Sequence, residues 1–356
     1  MPSAFPPRAR ALLAALAALC AGGAISPAAA AQDERCGDGR GGSAGLRVDN
    51  DLLGGQDEGY TNGAVLTLVS GNLAGFDDPC LPGVARGLNR ALGWLQPGGG
   101  DQRNMSFTLA QAIFTPRDNE RRDLITDDRP YAGLLVAGVG YHVRTGDWLE
   151  SSVLRLGWVG PSARGQDVQR AVHKVTGSKR FRGWSNQLHD EPLFQLQREW
   201  ARRWPAAGEG ADGRRRWDAV THWGASLGTL ATQAVVGGQW RYGTLPDDFG
   251  SLPLWAGGDN TAPVRSPAVR QDGGWSGHLF AGADLRWVLR NITLDGNTFR
   301  DSHSVDKRAL VGELSYGFVI HKGAWKFALA RYHRTHEFVG QQRRPVFGSF
   351  TISRAL

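Results

Sequence analysis

Between Leu279 and Trp287 the chain changes character at every residue: Leu279, Ala281, Ala283, Leu285 and Trp287 alternate with Phe280, Gly282, Asp284 and Arg286. A period of two marks a β-strand with one apolar and one polar face. The pattern recurs along the chain. Tyr131, Leu135, Val139, Tyr141 and Val143 stand opposite Gly138, Gly140 and His142, and Leu154, Leu156 and Trp158 alternate with Val153, Arg155 and Gly157. Trp325, Phe327 and Leu329 alternate in the same way with Lys326, Ala328 and Ala330. After residue 31 there is no run of 18 apolar residues. A helical span is therefore excluded, and only a closed barrel could carry this chain through a bilayer, because a barrel alone pairs every strand edge. A soluble β-sandwich or barrel also alternates, so the pattern by itself leaves that reading open.

Twelve segments carry strand character, at about 45–51, 61–72, 103–115, 131–145, 149–160, 191–203, 215–229, 231–243, 276–290, 308–321, 324–338 and 346–355. An even count suits a single-chain bacterial barrel, and Trp or Tyr near segment ends suits its two aromatic girdles. Many of the 49 glycines fall on the polar faces, where a small side chain leaves room in a lumen. We therefore expect an all-β fold, a closed antiparallel transmembrane β-barrel of about twelve strands. One connection is too long for a turn. Between Gly160 and Pro192, Val168, Val172 and Val175 form an apolar stripe at helical spacing over Gln166–Thr176, and Gly177 stops it. A long loop with its own helix is a place to look for function.

Residues 1–31 read as a cleaved secretory signal: Arg8 and Arg10 precede an apolar run from Ala11 to Ile25, and Ala28 to Ala31 supply small residues for cleavage. Cys20 lies in that segment, but Leu19 before it argues against lipidation. Residues 32–356 then form one barrel domain, with no Pro/Ser linker and no internal period to divide it. Cys36 and Cys80 remain, and in an oxidising compartment they are most simply one disulfide. Loss of Arg8 and Arg10 lowers the formal charge from +7 to +5. That excess suits an anionic glycolipid, whereas no basic stretch is interleaved with aromatics as a nucleic-acid surface would be.

Three groups could carry chemistry. Asn50 and Asp51 end the first strand, and Tyr60, Thr61, Asn62 and Gly63 open the second, so a carboxylate, an amide and a hydroxyl gather at one end of a hairpin. Turn formation would select the same residue types. His173 lies in the loop helix beside the apolar stripe, four residues after Gln169, where an imidazole could activate water near neutral pH. His189, Asp190 and Glu191 could offer oxygen ligands to a hard cation or close a rim turn at Pro192. Zinc lacks its H-E-x-x-H spacing, and the G-x-S-x-G elbow of a serine hydrolase is absent from the sequence. Arg129, in Asp127-Asp128-Arg129-Pro130-Tyr131, has a guanidinium suited to a phosphate or carboxylate, or to a structural salt bridge.

Eight segments in order from Asn50 to Gln342, NDLLGGQDEGYTNG, QAIFTP, DDRPYAGLL, GPSARGQDVQRAVHKVTG, GWSNQLHDEP, YGTLPDDFG, ITLDGNTF and HEFVGQQ, together resemble the lipid A 3′-O-deacylase family of Gram-negative outer membranes. The resemblance implies a twelve-stranded multi-pass barrel, acting as a monomer, with its active site between the wall and a helix of an extracellular loop. It implies hydrolysis of the ester that links the 3′ acyloxyacyl chain to lipid A, with a divalent cation, usually calcium, stabilising the oxyanion. By motif position, Asn50, Asp51, Thr61 and His173 match the family's active-site residues, with His173 as the general base. Arg129 and Arg117 are the candidates for binding the substrate, and Asp51 and Glu191 for holding the cation. The competing functions are a non-enzymatic pore or adhesin on the same fold, and an outer-membrane phospholipase.

Overall fold

The computed structural model describes residues 42–51, 59–118, 120–176, 181–205, 217–250 and 274–356. The signal segment and Cys36 lie outside them. Twelve strands run in chain order as β1 (Ser43–Asn50), β2 (Gly59–Val69), β3 (Gln102–Thr115), β4 (Ala132–Thr145), β5 (Trp148–Val159) and β6 (Glu191–Pro205). They continue as β7 (Trp217–Gly228), β8 (Ala231–Gly243), β9 (Trp275–Asn291), β10 (Leu310–Lys322), β11 (Trp325–Arg334) and β12 (Val346–Ala355). Each pairs antiparallel with its sequence neighbour, and β1 closes the ring on β12, with Ser43 opposite Ala355 and Asn50 opposite Gly348.

The alternation read from the sequence is the alternation of the wall. Leu279, Leu285 and Trp287 point outward and are exposed, while Phe280 and Arg286 point into the lumen and are buried. At Gly237 a Cβ would lie 2.1 Å from Asp284 Oδ1 and 2.6 Å from His222 Nε2, so the inward glycine makes room for that lumen pair.

Buried ion pairs cross the lumen. At the rim that holds the chain ends, Asp218 accepts from Arg203 Nε at 2.8 Å and from Arg241 at 2.8 and 2.7 Å. Arg241 also binds Asp248, Arg203 binds Asp247, and Arg144 reaches Asp247 at 2.9 Å. Asp247, Asp248 and the buried Phe249 follow β8, so residues 244–250 fold inward as a plug. Further along, His222 pairs with Asp284 at 2.6 Å, and Glu313 takes Arg286 at 2.8 Å and Arg334 at 2.6 Å. Buried charges of opposite sign in direct contact offset one another's desolvation.

Two covers lie against the outside of the wall. The connection from β2 to β3 contains helix α1 (Gly83–Ala91), and Leu73, Phe76, Leu81 and Leu95 from this connection pack over Tyr141 and Val143. Asn89 of α1 donates to Phe76 O at 2.7 Å and accepts from Tyr141 Oη at 2.8 Å. Tyr141 and Val143 are therefore outward, as the period implies, yet covered by protein. Cys80 in this connection is disulfide-bonded. The second cover is helix α2 (Gly165–Thr176), which begins one residue before the expected helix. A third, four-residue helix, α3 (Ile292–Asp295), follows β9.

A candidate active site between the wall and the loop helix

Asn50 occupies the last position of β1. Three residues and one residue before it, Arg47 and Asp49 alternate about Val48, and Asp49 is fully buried in the lumen, where Tyr60 Oη donates to it at 2.9 Å. Alternation then turns Asn50 to the outer face. It is 2% exposed even so. Its register partner is Asn62, whose next partner is Ile113 of β3, followed by Gly133 of β4. An amide, an amide, an apolar side chain and a glycine thus form one row across four strands on the outside of the rim.

The loop helix covers the Ile113 and Gly133 end of this row. Packed against β3 and β4, α2 starts at Gly165, where a Cβ added to Gly133 would sit 2.9 Å from Gly165 Cα. Gln111, outward on β3, donates from Nε2 to Ala163 O at 2.5 Å and ties down the turn before the helix. Ile113 joins Tyr131, Phe181 and Trp184 in a buried cluster against which Val168 of α2 packs. Tyr131 meets Trp184 at 5.2 Å and Phe181 at 6.3 Å between ring centroids. Burial pushes the Tyr131 hydroxyl up to about 12, with the charges of Asp118 and Asp128 adding to the effect.

His173 is on α2, 5% exposed, with its ring 5.6 Å from that of Phe181. The helix therefore brings the imidazole over the same outer face of the rim to which Asn50 turns. Asp51 follows Asn50 and is also buried. Thr61 lies in the bulge between Tyr60 and Asn62, and its side chain is outside the described residues. A cavity of about 810 Å³ opens beside His173, lined also by Gln169, Arg170, Arg122, Arg182, Phe181 and Trp184. Its three arginines come from two connections, Arg122 between β3 and β4 and Arg170 and Arg182 between β5 and β6, and sequence reasoning passed over them because single basic residues in loops have no spacing to mark them.

The other candidates stand elsewhere. Arg129 lies on the lumen side, 1% exposed, 3.4 Å from Glu337 and above the Phe114 ring. Burial lowers its pKa, against the pull of Glu337 and Asp128. Arg117 and Arg129 line a second cavity with Arg121, Phe338 and Arg343. Glu191, at the start of β6, accepts from Asn297 Nδ2 at 3.2 Å and from the backbone N–H groups of Thr298 and Phe299 at 2.9 and 3.2 Å. It is a strut between two loops, five strands round the ring from β1. No cluster of three or more His, Cys, Asp or Glu suited to a metal occurs among the described residues.

The closed ring of twelve antiparallel strands with an apolar outer face defines an integral β-barrel of the Gram-negative outer membrane. A family model described as outer membrane protein LpxR matches residues 12–356, and the chain belongs to that family. Among solved structures it is similar to LpxR from Salmonella typhimurium, with 18% identity and a TM-score of 0.66 over 88% of this chain and 99% of that one. The β domain of the Bordetella autotransporter BrkA aligns at 11% identity and a TM-score of 0.36, over 89% of this chain and 98% of that one. Among curated proteins no relative matches the chain.

Proposed function

We propose that this protein is a lipid A 3′-O-deacylase, hydrolysing the ester that carries the 3′ acyloxyacyl chain from the outer leaflet in which the barrel is embedded. The observation that supports this reading is the placement of His173 on a helix packed over β3 and β4, against Ile113 and Gly133 of the outward row that begins at the buried Asn50. An active site on the outside of the wall is open to a lipid that never leaves the membrane, whereas a lumen site would require extraction of its acyl chains. Buried ion pairs at Asp218 and Glu313 crowd the lumen, which weighs against a pore.

In this reading His173 takes a proton from water as the oxygen attacks the ester carbonyl carbon, and the imidazolium returns it to the departing 3′ oxygen. Asn50 and Thr61 orient water or ester by hydrogen bonds. The exposed apolar wall below the row, including Leu109 and Leu135, receives acyl chains, and Arg122, Arg170 and Arg182 face the phosphates of the glycolipid head. Arg117 and Arg129, which line the second cavity, bind further anionic groups of that head.

The amide and carboxylate oxygens of Asn50 and Asp51, adjacent and buried, are the hard donors that calcium takes. They would hold the cation, with remaining ligands from backbone, water or substrate, and its chemistry there is Lewis-acid stabilisation of the oxyanion. Glu191, engaged by Asn297 to Phe299, is assigned to loop anchoring instead.

The test is chelator-sensitive release of acyl product from purified lipid A, with mass spectrometry of lipid A from a host expressing His173→Ala or Asp51→Ala. Both variants should fold as barrels and lose deacylation. Release of the 3′ acyloxyacyl chain by both would refute the assignment, and cleavage of glycerophospholipid in place of lipid A would make the protein a phospholipase.

A further inference from the structure

Helix α1 lies outside the wall at the rim that holds the chain ends, and it is apolar on two sides. Ala85 and Asn89 turn to the barrel, with Leu92 and Leu95 beyond them, over Tyr141 and Val143. Val84, Leu88 and Ala91 recur at i, i+4 and i+7 on a different side, and Trp94 follows in the turn Gly93–Leu95. Val84 is 88% exposed and Trp94 66%, and Leu88 and Ala91 are exposed with them. A surface helix bathed in water is polar on the side away from its core, whereas α1 exposes this second stripe beside Arg86 and Arg90 and carries no acidic residue. The connection is tied to the wall. Arg103 of β3 donates to Ala74 O at 3.3 Å and to Gly99 O at 2.6 Å, and Asp78 accepts from the N–H groups of Ala74 and Cys80 at 2.8 and 2.9 Å.

Trp148, Trp204, Trp217, Trp240, Trp275 and Trp325 stand exposed at this rim, at or near the ends of β5 to β9 and of β11. Arg202 lies over Trp148 and Trp204, Lys322 over Trp275 and Arg354 over Trp325, a pairing of indoles with cations that suits a membrane–water interface. Strands β1 to β4 interrupt the ring. They bring no exposed Trp or Tyr to this rim, and Tyr141, the tyrosine nearest it, is buried under the cover. The cover supplies Trp94 and Arg90 there instead.

We propose that α1 and Trp94 form an interfacial anchor in the phospholipid leaflet at this rim, with Val84, Leu88 and Trp94 among the acyl chains and Arg86 and Arg90 against the lipid phosphates. Both chain ends lie here, and a barrel inserted from the periplasm keeps its ends on that side, where the leaflet is phospholipid. Continuity with the apolar wall makes the occupant a lipid, and two arginines on a helix without an acid select an anionic headgroup such as phosphatidylglycerol. The anchor needs only a barrel in a bilayer and is independent of the deacylase reading.

The experiment places the photoreactive residue p-benzoylphenylalanine at Val84, at Trp94 or, for comparison, at Leu285 of the outward wall, in the full barrel. Each purified protein is irradiated in vesicles of phosphatidylcholine and phosphatidylglycerol, and intact host envelopes are irradiated in parallel. Heat-dependent gel mobility is the control for folding, and Val84, being so exposed, decides the matter should the change at Trp94 prevent it. We expect the peptides that carry positions 84 and 94 to gain the mass of a phospholipid, as the peptide carrying 285 does. With Arg86→Gln and Arg90→Gln added, the share of phosphatidylglycerol among the adducts at position 84 should fall at least about twofold. Lipid adducts at 285 with none at 84 and 94 would put the stripe in water and overturn the anchor. A covalent dimer or another protein joined at 84 and 94 in place of lipid would overturn it as well, and an unchanged share of phosphatidylglycerol would overturn the part given to the arginines.

Discussion

Asn50 and Asn62 face each other across the β1–β2 ladder, on the outer side of a wall whose other outward residues are largely apolar. Facing positions of an antiparallel pair hold their Cβ atoms about 4.5–5.5 Å apart, close to the span of a disulfide. The double variant Asn50→Cys, Asn62→Cys should therefore oxidise to a cross-strand bridge, detected by intact mass with and without reduction. A one-residue slip would turn one cysteine into the lumen, and two persistent free thiols would contradict the register.

The seat of the loop helix rests on two glycines. With Gly133 Cα and Gly165 Cα in near contact, a methyl group on either meets backbone at 2.8 to 2.9 Å, which no side-chain rotation relieves. Gly133→Ala should lift α2 from the wall at a cost of about 1–3 kcal/mol while the strand ladder forms. We expect acyl release to fall by at least about tenfold, through misplacement of His173, and residues 160–190 to become sensitive to protease. An unchanged rate would mean that the helix need not touch β4.

Much of this architecture was written in the period of two. The segments 231–243 and 346–355 are strands at the expected bounds, and the other ten shift by a few residues at one or both ends. The largest excess was 324–338: β11 stops at Arg334, and Glu337 and Phe338 turn inward, buried, although their polar-apolar alternation continues that of the strand. Helix α1 left no clean signal, since Gly83 and Gly87 interrupt its sequence. The row Asn50, Asn62, Ile113 and Gly133 could not be read at all, because it exists only once the register of three strand pairs is set. Gln169 was visible as a neighbour of His173, but its hydrogen bond from Trp184 joins residues fifteen apart in sequence.

Acid should loosen the loop rim. Burial alone would raise the pKa of Glu337, but Arg129 and Arg334, with Arg286 beyond, hold it below its ordinary 4.5. A depressed carboxylate contributes stability that is complete above 4.5 and lost as pH falls through the lower folded value. Asp247, held below 3.8 by Arg144 and Arg203 despite partial burial, acts in the same direction at the opposite rim. Thermal unfolding followed by gel mobility should therefore shift downward below about pH 4. Glu337→Gln should lower Tm by on the order of 5 °C at pH 7 and flatten the acid dependence. A variant with the wild-type acid profile would remove Glu337 from the account.

Asp218 is the keystone of the plug near the chain termini, because its two oxygens receive Arg203 and Arg241, both buried. Replacing it by alanine leaves two buried guanidinium groups without this partner, a change of about 3–5 kcal/mol for a broken buried pair. The Arg203 and Arg241 charges would then repel, and Asp247 and Asp248 would be left as their partners on a connecting segment rather than on the wall. Asp218→Ala should consequently lose thermal stability and admit fluctuating ion currents in a planar bilayer, while the wild-type barrel stays silent under the same voltage. A steady ohmic conductance from the wild-type protein would show that the packed charges do not seal the barrel, and would return the non-enzymatic pore to the front of the possible functions.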